Sequence, residues 1–310
     1  MGIAPQLGDL QAVVISLEGN GKIGQSGGGC PFHCECIISL AVPPHFFYFV
    51  CSMSLSATTQ GFLRQVESST GLKVLVEEQG SQLQVPLLAK VQVARRGIPF
   101  HRVVYHPSAG DMADYLVCFQ CSFILRLHSL PAAERFDLAD NPVAQVECLK
   151  WTKAHEGTGT MDGNRQVEFA NFLRTSLMTM VRSVPVGIWV DQDLRARFPD
   201  LRAAQEQAIR RQVDTQAQVV SPRVREDIPA PALRVNSAIN AAFAKVWSVE
   251  FNEPGWCLPY VVDGSVAGGD ALLGVMDGFL ATPSNDRRVI QAWADHLGFG
   301  HWLKWIQHSP

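Results

Sequence analysis

The sequence predicts an α+β fold, a small antiparallel sheet with a buried central helix, followed by a mostly helical C-terminal half. Three observations carry this reading. Short β-branched runs separated by turn residues fill positions 71–107. A run that is apolar nearly all round follows, over 111–130. From Arg165 onward, apolar residues recur at helical spacing. With 310 residues, the chain can bury such a core without disulfides.

Residues 1–52 differ from the rest. Positions 20–29 are glycine-rich, and the apolar run 36–51 is broken by Pro43-Pro44. That run is shorter than the roughly 20 residues needed to span a bilayer. It has no basic region before it and no small-residue cleavage site after it. The sequence from Met53 onward reads like an ordinary start. The expected organisation is therefore a leader over 1–52, an over-extended start or a disordered segment, then an α+β domain over 53–185 and a mainly helical region over 186–310.

The elements are expected in this order. Ser56 or Thr58 caps a first helix, with Phe62, Leu63 and Val66 on its inner face. Strands follow at 72–76, within 83–93 and at 99–105. Pro86 places at least one of them at an edge, and Pro107 with Gly110 stops the last. Ser108 or Asp111 then caps the central helix, where Ala113, Leu116, Val117, Phe119, Ile124 and Leu125 leave no polar face. Pro131 ends it. Residues 153–164, rich in glycine and small polar side chains, are expected to be an exposed, moving loop. The next helix carries Phe169, Phe172, Leu173, Leu177 and Met180 and is expected to end at Pro185, with 184–190 as an apolar link or strand. Pro199 opens a helix with a solvated charged face that includes Arg210 and Arg211. A proline-rich linker over 221–231, an amphipathic helix over 233–251 and a turn-rich stretch over 253–269 come next. Short helices at 270–279, 286–297 and 301–307 complete the chain, with Trp293, Trp302 and Trp305 spaced for burial.

Composition excludes some functions. The apolar fraction is 47%, the charged fraction 18% and the formal net charge −3. That balance gives no strong nucleic-acid signal, because phosphate neutralisation needs clustered cations, and leaves room only for a local basic patch. No membrane association is expected. Eight cysteines without regular spacing point to a reducing, cytoplasmic setting. No cofactor is expected: Gly268-Gly269 lacks a P-loop lysine and dinucleotide spacing, and reads as a tight turn with Asp270 as a helix cap. No metal is expected, and the weak candidates Cys30, His33, Cys34 and Cys36 lack a second pair at finger spacing. The oligomeric state is left open.

The candidate pocket is His101, His106, Cys118, Cys121, Ser122 and Glu168. The two histidines lie five residues apart on an extended chain and so face opposite sides. Cys118-Phe119-Gln120-Cys121 is a Cys-x-x-Cys. It falls in mid-helix and not at a helix N-terminus, where the dipole would lower a thiol pKa, so its thiols read as small buried hydrophobes.

The strand 101–107 (HRVVYHP), a turn and the helix 114–126 (DYLVCFQCSFILR) resemble the strand and active-site helix of the ImmA/IrrE-like zinc peptidases. Residues 167–180 (VEFANFLRTSLMTM) resemble that family's second helix through Glu168, Ala170, Asn171, Phe172, Leu177 and Met178. The resemblance covers roughly residues 60–185. Where the family has His-Glu-x-x-His, this chain has Cys118-Phe119-Gln120-Cys121-Ser122. The two ligand positions become Cys118 and Ser122, the general-base glutamate becomes Phe119, and Glu168 remains as a third ligand. A phenyl ring cannot activate a zinc-bound water. The resemblance thus implies a peptidase-like scaffold without catalytic residues, which binds a protein partner in bacterial regulation or mobile-element biology. Two alternatives stand beside it: an enzyme of unrecognised class with a pocket at His101, His106, Cys118 and Glu168, and a structural module whose Trp-rich C-terminal helices bind another subunit.

Overall fold

The computed structural model describes residues 9–11, 55–79, 88–95, 97–139 and 141–308. It is α+β, as expected. Strand β1 (Asp9–Gln11) is followed by helix α1 (Ala57–Thr70), then β2 (Lys73–Glu78), β3 (Ala89–Gln92), β4 (Phe100–Tyr105) and helix α2 (Ala113–Ser129). Ser56 caps α1, its Oγ accepting from the Thr59 amide, and Gly71 closes that helix at φ 72°. The Ser56 amide in turn donates to Asp114 Oδ1 in the first turn of α2, 2.8 Å away, which ties the two helix starts together.

The strands form one sheet in the order β1-β3-β4-β2. Pairs β1–β3 and β3–β4 are antiparallel, whereas β2–β4 is parallel. The sheet is therefore mixed and not purely antiparallel. The chain leaves β2, returns one strand further out as β3, and turns back so that β4 sits between them. β4 is the central, most buried strand, and β2 is a half-exposed edge. Helix α2 covers this sheet and buries most of its residues from Ala113 to Ile124. A 3-10 turn (Pro107–Met112) precedes it. There His106, not Ser108 or Asp111, is the capping side chain, its Nδ1 accepting from the Ser108 amide.

The helical part is built on α5. Strand β5 (Phe136–Ala139), helix α3 (Pro142–Ala154) and the short α4 (Glu156–Gly159) lead into α5 (Gly163–Arg197), 35 residues long. Asp162 caps it through the amides of Asn164 and Arg165. The expected stop at Pro185 is not there. Proline removes one helical N–H and crowds the preceding turn, but residues 176–181 and 183–191 are buried without a gap, and packing on every side keeps the helix going. Gly187 lets α2 approach: a Cβ there would lie 3.3 Å from the Phe119 ring.

Three other expectations fail, wholly or in part, for related reasons. Residues 153–164 are mostly exposed, as expected, but they are not one loop: they hold the end of α3, the short α4 and the start of α5. Thr152 and Thr158 are buried and hydrogen-bonded to each other, and Gly157 sits so close to the Glu226 carbonyl that a Cβ would come within 2.4 Å. Residues 221–231 are not a linker, because Pro222 opens α7 (Pro222–Asp227) and α8 (Ala230–Glu250) begins at once. Gly268-Gly269 is not a turn. Both glycines lie inside α10 (Val266–Met276), where Gly269 permits a close crossing of α8, and Asp270 pairs with Lys245.

Helix α6 (Arg202–Ala217) follows α5, α9 (Leu258–Asp263) precedes α10, and α11 (Pro283–His296) follows it. The expected last helix is instead strand β6 (Lys304–Gln307), which pairs antiparallel with β5. Trp293 and Trp302 are fully buried, as expected. Trp305 stands on β6, where its ring meets Phe136 edge-on. One buried apolar cluster runs from Phe62 to Leu303, so the boundary drawn at 185/186 falls inside a helix that serves both halves. Of the expected leader, residues 9–11 pair with β3. The rest, with Cys30, His33, Cys34 and Cys36, lies outside the described residues. Among the described residues no helix is long and apolar enough to cross a membrane.

Candidate functional site

The residues singled out from sequence do not gather in one place. Cys118 and Cys121 are fully buried in α2. The Cys118 thiol donates to Thr59 Oγ1 at 3.7 Å, and burial pushes its pKa up to about 12. Burial also pushes the Cys121 thiol well up. Ser122 turns its hydroxyl back onto the Cys118 carbonyl, 2.9 Å away, one turn earlier in the same helix. Glu168 is on the exposed face of α5, and His106 sits at the surface, engaged in its cap. A zinc ion needs deprotonated ligands that converge on one point. Two thiols held protonated, a hydroxyl bonded to its own helix and an outward carboxylate do not fit one. Among the described residues no group of three histidine, cysteine, aspartate or glutamate side chains is placed to hold a metal ion.

His101 is different. It is fully buried on β4, and its Nδ1 accepts from the Ala94 amide at 3.1 Å. In the neutral ring the proton therefore sits on Nε2, which has no hydrogen-bond partner. The His128 ring stands edge-on to it, with centroids 5.0 Å apart, and its Nε2 is also buried without a partner. His308 completes the row, 6.5 Å from His128, with its Nε2 donating to the Ala94 carbonyl at 3.0 Å. Burial is the main cause that lowers His101 and His128 to about 4, with the Arg135 guanidinium adding to it at His128, so both are neutral at pH 7.

Through His308 this row meets a charged cavity between α2, α5, α11 and β5. Arg126, in the last turn of α2, grips Asp286 of α11 through two nitrogens. The Nε–Oδ2 distance is 2.9 Å, and Nη2 meets Oδ1. The same guanidinium lies 5.7 Å from the Trp189 ring centre. Arg182, from the middle of α5, meets Asp137 of β5 at 3.0 Å. Arg95 enters from a tight turn closed by reciprocal Arg95–Ile98 backbone bonds, with Gly97 at φ 86°. The Arg126–Asp286 and Arg182–Asp137 side chains are each at most 14% exposed. Such pairs are costly to bury and are retained only where geometry is good.

The two carboxylates respond differently. Burial opposes the charge of Asp137, but His308, Arg182, the Leu138 amide and Arg95 outweigh it and hold the pKa below the usual carboxylate range. Asp286 has Arg126 alone, and burial wins, raising it. The cavity has a volume of about 40 Å³. That is room for a few waters or one small ion, not for a nucleotide.

A third buried carboxyl, Asp191 on α5, accepts from the Tyr115 hydroxyl at 2.6 Å and faces Gln205 at 3.4 Å. Burial raises it to about 7. This network joins α2, α5 and α6.

Of the cavity and its histidine row, sequence reasoning found His101 alone. Arg126 and Asp286 are 160 positions apart, and nothing local in either stretch announces the other. No protein-family model, curated protein or solved structure matches this chain.

Proposed function

We propose that the chain is a non-catalytic, metallopeptidase-like scaffold that binds a protein partner. One observation carries the reading. Two of the three positions where the resemblance would put zinc ligands hold side chains that are satisfied inside the core, Cys118 on Thr59 and Ser122 on its own helix, while Glu168 points outward and Phe119 stands at the general-base position. For the partner, the supporting feature is an apolar surface in the helical part. Leu258, Val261 and Val262 of α9 are 61%, 57% and 88% exposed at one-turn spacing. Contiguous exposed apolar side chains of this kind mark interaction surfaces.

Metal analysis with a peptidase assay tests the first half. The expected result is sub-stoichiometric zinc and no hydrolysis of an unfolded protein substrate. Stoichiometric zinc that disappears in Cys118→Ser would overturn it. Photo-crosslinkers placed at Val262 and at Lys73 in cells test the second half. A single species captured from position 262 and lost on Val261→Asp is expected, and equal capture from both positions refutes the surface. An enzyme of unrecognised class is the second reading, favoured by the buried His101, whose histidine row reaches a charged cavity at His308.

A further inference from the structure

We infer that the cavity ringed by Arg95, Arg126 and Arg182 is a binding site for one small oxyanion, a carboxylate or phosphate group. The inference is independent of the α9 surface and of the peptidase resemblance. It begins with charge. Among the described residues, three guanidiniums and two carboxylates, Asp137 and Asp286, line the space. The three arginines come from three separate parts of the chain, so the cluster is a product of the fold and not of a basic run in the sequence.

Geometry adds to it. Two of Arg126's nitrogens are committed to Asp286, and its third reaches the Ala281 carbonyl only at 3.4 Å. A guanidinium carries five N–H donors in a rigid fork, suited to two oxygens at once, so it can hold a second acceptor beside the first. The remaining wall is apolar (Phe123, Val186 and Ile290 among others), which keeps the local dielectric low and strengthens a charge-assisted bond. Asp286 is already the weaker of the two internal carboxylates. An incoming anion therefore competes with it for Arg126 more easily than with Asp137 for Arg182. At about 40 Å³, the cavity has room for a single anionic group.

Calorimetry and thermal unfolding of the full chain, with sodium phosphate, sodium acetate or sodium chloride at matched ionic strength, test this. Phosphate or acetate should bind saturably and raise the unfolding temperature where chloride does not. Phosphate alone assigns a phosphate group, and acetate alone a carboxylate. Arg95→Gln, at the half-exposed rim, should weaken binding about tenfold, the value of one lost charge-assisted contact. Ile290→Phe, which fills the cavity and leaves every charge in place, should abolish it. If Ile290→Phe does not fold, the Arg95→Gln titration decides. Equal stabilisation by all three salts, or binding unchanged in Arg95→Gln, overturns the inference.

Discussion

The middle of α2 and its last turn are about two helical turns apart, and they are opposites. Around Cys118–Ser122, side chains with chemical potential lie next to each other in sequence and end in a dry core. Around Arg126, groups from α2, α5, α11, β5, the turn after β3 and the chain beyond β6 converge on a charged cavity. The first region collects reactive residue types without a space in which they can act. The second has the space, and its residues look ordinary one at a time. Reactivity is a property of environment: burial turned two cysteines into hydrophobes and turned arginines and aspartates into a built site.

The sharpest way to break this contrast is to remove Arg126. Arg126→Met leaves Asp286 buried without its partner and should cost about 3–5 kcal/mol, with most of that recovered in Arg126→Met/Asp286→Asn. Urea unfolding of both variants measures it, and equal loss in the two would show that packing, not charge, holds the site.

Next in size is the response to pH. The folded pKa of His101 is about 4, below its unfolded value near 6.5. Its contribution is present above 6.5 and is lost as pH falls toward 4, by on the order of 3 kcal/mol. The groups facing it are His128, His308 and, through His308, Asp137. Asp191 has the opposite sign. Its folded pKa of about 7 lies above the unfolded value near 4, so stability is present below 4 and lost as pH rises through 7. His101→Asn should flatten the acid limb of a stability–pH curve, and Asp191→Asn should raise stability at pH 8 by about 1–3 kcal/mol. A curve unchanged in either variant removes that group from the account.

The smallest effects belong to the cysteine stretch. Ser122→Ala deletes only a bond from the hydroxyl to its own helix and should change stability by less than about 1 kcal/mol. A thiol reagent on the native chain should modify Cys257, which is half-exposed, well before Cys118 or Cys121. Peptide mapping reads the order, and early labelling of Cys118 would restore the stretch as a reactive site.

Much of the fold was legible because it rests on local signals. The cap at Ser56, the strand at 99–105 and the all-round apolar α2 are written in adjacent residues. The errors fall where a distant partner overrides a local rule. Pro185 does not stop α5, because helices packed around it supply more than one lost hydrogen bond. Gly269 is not a turn, because α8 passes against it. Residues 304–307 are a strand because residues 136–139 offer an open edge. The site was less legible still, since Asp286, Arg182 and His308 carry no motif and acquire meaning only beside one another.

That last pairing bears on how the protein is made. Asn141 reaches the Trp302 carbonyl, 161 positions along the chain, and the β5–β6 ladder closes beside it. Until residue 307 has emerged from the ribosome, β5 presents bare backbone, and the Asp137–Arg182 pair lacks the His308 side of its enclosure. Contacts this remote form late, because the closure entropy of the intervening chain comes first. A nascent chain therefore carries an unpaired strand edge and half a charge cluster while the residues between Arg182 and His308 are being made, the kind of surface that chaperones recognise.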